Sequence, residues 1–177
     1  MLETYRQTRL LFEALDEMLE GAGLYPSRGT LGDNLRASVG RDPGTWLPLE
    51  LHLLYTEGED GNVPQDRYVT VDICFPTDGA AHPVIAISTV SLASPVQPKE
   101  FWDSSEGFAR VIAAQGLDGM ARAIPSEELR PLRLKDATRA RGFALPLCQL
   151  DEHNLELLLV RPALELHRAP GDGPPVR

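Results

Sequence analysis

The chain predicts an α+β fold, one domain with a mainly antiparallel sheet of about five strands and flanking helices in the order α-βββ-α-ββ. Three observations carry this. Runs with strand-type alternation cluster between Trp46 and Leu92 and recur after Gly142. Stripes of helical period lie on either side of the first cluster. The connections within it are turn-rich, which suits hairpins better than helical crossovers. At 177 residues the chain can bury about 70% of its unfolded surface in one core. The domain is expected over residues 1–167. Residues 168–177, RAPGDGPPVR, are expected as a disordered tail, too polar and rich in Pro and Gly to order themselves.

Thr4, followed three residues later by Gln7, fits a capping box, so a helix should follow. Leu11, Leu15, Met18 and Ala22, with Phe12 and Leu19 beside them, form its apolar stripe, and Gly21 and Gly23 supply its stop. From Leu24 to Thr45 the composition is that of a long connection, within which LGDNLRASV is the one stretch able to make a short helix. The first strand alternates with Leu47, Leu49, Leu51, Leu53 and Tyr55 inward and Pro48, Glu50 and His52 opposite; Pro48 marks an edge. The second places Val69, Val71, Ile73 and Phe75 inward and Tyr68, Thr70, Asp72 and Cys74 opposite. The third, Val84 to Leu92, is apolar or small on both sides and reads as a central strand.

A Pro-marked entry at Pro98 then leads into one helix, KEFWDSSEGFARVIAAQG, weakened at Gly107 by about 1 kcal/mol relative to alanine. Ser126, Glu127 and Glu128 suggest a short capped helix, and ELRPLRLKDATRAR concentrates basic residues. GFALPLCQL and NLELLLVRPALELH, either side of the turn DEHN, are expected as a closing strand pair, with Pro146 and Pro162 confining each to an edge or bulge.

Composition narrows the function classes. Cys74 and Cys148 stand singly inside apolar runs and read as two buried thiols; no paired spacing offers a disulfide framework or a zinc site. The N-terminal segment has no apolar core or cleavage site of a secretory signal, and no run reaches membrane-span length, so a soluble cytoplasmic protein is expected. The formal charge of −9 repels nucleic acid and anionic lipid. Neither a Gly-rich phosphate loop, a serine-hydrolase elbow nor a helical metal-ligand pair occurs, so no cofactor or metal is expected.

Three places could carry chemistry. With the first two strands paired about Gly61, Glu50 falls opposite Asp72 and His52 opposite Thr70, with Ser88 of the third strand beside Asp72. Facing carboxylates with an adjacent His could do acid–base work. The plain alternative is the solvent side of a half-exposed sheet. Phe101 and Trp102 are candidates for a contact surface, against which stands an ordinary core role. Arg133, Lys135, Arg139 and Arg141, within the basic segment 130–141, are candidates for binding phosphate or nucleic acid, against which stands pairing with Glu127, Glu128 and Asp136.

The element order is similar to that of the small acidic dimeric chaperones of type III secretion, but no residue motif carries the likeness. It is also similar to the helix, three-strand, helix order of restriction-endonuclease-like nucleases, where Asp72 would be the second-strand acid. Val84 to Leu92 contains neither the acid nor the lysine those enzymes need in their third strand. The expected function is therefore a non-catalytic protein-interaction module, chaperone-like or adaptor-like, that self-associates or binds a protein partner through a sheet face or edge strand. An acid/His enzyme or ligand pocket is the alternative. Anion binding through the basic segment is the third reading.

Overall fold

A computed structural model of the chain describes residues 2–27, 50–58, 63–75, 82–104, 108–129 and 137–169. Its centre is a six-stranded sheet in which every pairing is antiparallel, with strand order β1-β2-β3-β4-β6-β5. In chain order the elements are α1 (Leu2–Glu20), β1 (Leu24–Pro26), β2 (Glu50–Glu57), β3 (Gln65–Cys74), β4 (Val84–Val96), α2 (Pro98–Ser104) and α3 (Phe108–Ala114). There follow β5 (Arg122–Ala123), α4 (Ser126–Leu129), β6 (Ala137–Pro146), a 3-10 turn (Leu147–Gln149), a π turn (Glu156–Val160) and α5 (Arg161–Arg168). The α+β class and the antiparallel sheet are as the sequence predicts.

Helices cover the sheet on both faces. On one, Phe12, Leu15 and Leu19 of α1 and Leu159, Ala163 and Leu166 of the C-terminal helical segment pack on Leu53, Val69, Val71, Ile85 and Ile87. On the other, Phe101 and Trp102 of α2 and Phe108, Ala109 and Ile112 of α3 pack on Leu54, Tyr68, Ala86 and Val90. Alternation correctly divides β2 and β3 into two sets of side chains, but the set expected toward solvent is a second core. Thr70 and Asp72 within it are fully buried.

α1 begins at Leu2, so Thr4 lies inside the helix and not at its cap. Of its expected stripe, Phe12, Leu15 and Leu19 are buried and Leu11 and Met18 pack against them, whereas Ala22 falls in the turn after the helix; the helix ends where Gly23 takes a φ of +88°, with the Gly23 N–H donating to the Glu20 carbonyl at 2.9 Å. The Tyr55 hydroxyl donates to Asp16 Oδ1 at 2.6 Å and ties α1 to β2; burial pushes both groups' pKa values up.

The C-terminal segment corrects the sequence reading: NLELLLVRPALELH is helical. Leu155, Leu159, Ala163 and Leu166 recur at helical spacing and are buried, whereas Leu157 between them is 59% exposed. Asp151 starts the turn, its Oδ1 accepting from the N–H groups of His153 and Asn154 at 2.9 and 3.0 Å. Pro162 lies in the first turn of α5, where a proline is tolerated. The π turn immediately precedes it, where the missing N–H interrupts the ordinary i to i−4 pattern.

Other departures are smaller. β1 and β5 are short strands with too few residues to show a period, formed by pairing with β2 and β6. The single helix expected after Pro98 is two, α2 and α3; Gly107 between them lies outside the described residues. So do Trp46 to Leu49, LGDNLRASV and most of the expected tail. Cys74 is half-buried and Cys148 exposed, so neither is the fully buried thiol expected; Cys148 sits in the 3-10 turn after β6, beyond the sheet's cover. No helix among the described residues is long and apolar enough to cross a membrane.

Gly142 of β6 lies under α3, where an added Cβ would stand 2.8 Å from the Ile87 carbonyl oxygen and 3.0 Å from Ile112 Cδ1. Gly142→Ala should therefore cost about 1–3 kcal/mol through overpacking, read as a lower urea midpoint at unchanged m-value. Tyr68 supplies a second prediction. Its ring stacks on Phe101 with centroids 4.3 Å apart, its hydroxyl donates to the Val96 carbonyl, and burial pushes its pKa up to about 12. Between pH 10 and 12 the unfolded chain gives up this proton and the folded chain keeps it, so stability falls as pH rises through that window. Tyr68→Phe should flatten the alkaline limb of unfolding free energy against pH and leave its slope below pH 10 unchanged.

Candidate functional site

Two polar groupings form on the sheet, one on each face. On the α2 face, strand register decides who meets whom. His52 lies opposite Asp72 and Glu50 opposite Cys74, while Thr70 lies opposite Ser88 and Asp72 opposite Ala86. Each pairing is shifted by two residues from the expected one. A two-residue shift preserves the faces, so the same side chains still share a surface.

The result is a continuous hydrogen-bonded chain across β2, β3 and β4. His52 Nδ1 contacts Asp72 Oδ1 directly. Thr70 Oγ1 donates to Asp72 Oδ2 at 2.9 Å and, having used its one proton, accepts from Ser88 Oγ at 2.7 Å. The Asp72 side chain is 0% exposed and that of His52 11%. The His52 ring stands edge-on to Trp102, with centroids 4.2 Å apart and planes at 73°. Asp72 thereby holds the imidazole in the tautomer with hydrogen on Nδ1. Ser88 lies beyond Asp72, on the side away from His52, so the imidazole is not placed to activate its hydroxyl. Glu50 is described by its backbone position alone. Phe101 and Trp102 are core residues of this face.

On the opposite face, beneath the end of α5, a cleft is lined by Arg67, Thr89, Ser91, Arg139, Arg141, Leu166, His167 and Ala169. The register explains the convergence. Arg67, Ser91 and Arg139 stand in one row across β3, β4 and β6, and Thr89 with Arg141 forms the next row. Pairing is irregular between Gln65 and Arg67 and between Ser91 and Leu92, at this same end of the sheet. Such bulges twist a strand and re-aim its side chains. The Arg67 guanidinium donates to the His167 carbonyl at 3.1 Å, joining β3 to the end of α5.

His167 Nε2 lies 2.5 Å from Glu57 Oε1. Its Nδ1 is buried without a hydrogen-bond partner among the described residues, and so is Thr89 Oγ1. Two orphaned polar atoms in the wall of one three-arginine cleft are unusual, because a buried polar atom without a partner costs about 1–3 kcal/mol.

Of the basic residues singled out in the sequence, the cleft brings together Arg139 and Arg141; Arg133 and Lys135 lie outside the described residues. Sequence reasoning missed Arg67, Thr89 and His167. A signal was present for the first two: alternation puts Arg67 in phase with the inward Val69 and Val71, and Thr89 in phase with Ile85 and Ile87. A cation in the core phase of a strand is worth noticing. His167 was hidden by the strand assignment of its segment. No group of His, Cys, Asp and Glu among the described residues could hold a metal ion.

No family model, curated protein or solved structure matches this chain. The sites therefore stand on their own geometry. For the α2-face chain, Asp72→Ala should cost about 3–5 kcal/mol, since it leaves His52 and Thr70 without their shared acceptor, while Ser88→Ala at the end of the chain should cost about 1 kcal/mol. Urea unfolding of both variants checks the ranking, and equal costs would show that the chain does not act through Asp72.

Proposed function

We propose that the chain is a non-catalytic binding domain that holds an oxyanion group in the cleft between the β3–β4–β6 face and the end of α5. The observation that carries this reading is the convergence of Arg67, Arg139 and Arg141 on a cleft whose wall contains two partnerless buried polar atoms. Like charges in adjacent rows of a sheet repel one another, and a bound anion offsets that repulsion while supplying charge-assisted hydrogen bonds. Among the described residues Arg141 has no ion-pair partner of its own.

Global charge sets the size of the ligand. At −9 the molecule repels an extended polyanion such as nucleic acid, whereas a single anionic group entering a local basic cleft is favoured. The binding role expected from the sequence thus moves from a sheet edge to this cleft, and the basic segment contributes through Arg139 and Arg141. The His52–Asp72 grouping supports catalysis less well: its carboxylate is fully buried, and its hydrogen bonds cross-link neighbouring strands.

Calorimetric titration with inorganic phosphate at low ionic strength tests the reading. Saturable binding that weakens with added salt is expected, and Arg141→Ala should lower the affinity at least about tenfold, the equivalent of one charged hydrogen bond. Absence of phosphate binding, or an unchanged affinity in Arg141→Ala, would overturn it.

A further inference from the structure

We draw no further inference here: the strongest candidate, the turn between α3 and β5 where Leu117 and Met120 stand exposed and Asp118 pairs with Arg122, is a small apolar surface patch, and nothing in the structure shows what covers it.

Discussion

Burial of the central strands on both faces is the constraint on which the rest of the structure depends. β4 lies between β3 and β6, with Ile85 and Ile87 under α1 and the C-terminal helix and Ala86 and Val90 under α2 and α3. A polar side chain in such a strand cannot turn to water, so it must meet a partner or remain unsatisfied. Thr70, Asp72 and Ser88 meet one another and His52. Thr89, one position along β4 on the opposite face, meets none.

That contrast separates the two polar groupings. On the α2 face Asp72, Thr70 and Ser88 are matched to one another and to His52, and the hydrogen bonds link β2, β3 and β4. A satisfied network of this kind specifies register, because a slip by one residue would bury Asp72 among the aliphatic side chains of the other face. The cleft on the opposite face is open, and its wall keeps unmatched atoms next to guanidinium groups. A grouping that is complete explains architecture; one that is incomplete invites a ligand.

The end of α5 joins the two levels. Its arrival over the sheet brings the His167 carbonyl to Arg67 and the His167 ring to Glu57 on β2, so the last described helix spans β2 and β3. The same docking buries Ala163 and Leu166. Cleft geometry and core packing are consequently coupled: the helix that seals one apolar face also builds one wall of the basic cleft.

What the sequence determined by itself was periodicity and its consequences. The α1 stripe, the two-sided division of β2 and β3, the central character of β4 and the exclusion of metal and phosphate-loop motifs all follow from local spacing, which the backbone imposes on side-chain direction. Tertiary structure alone decided the rest. Helical cover made a second core of the face that alternation reads as solvent-side, because alternation separates faces without saying what lies on either. Strand registers are set by turn geometry, so His52 met Asp72 and Thr70 met Ser88 two residues away from the pairings inferred about Gly61 and Ala80. The apolar run around Leu155 to Leu166 fits a strand or a helix when read alone, and its packing against the sheet selected the helix. Arg67, Arg139 and Arg141 are separated along the chain, and it is adjacency across β3, β4 and β6 that makes them one cleft.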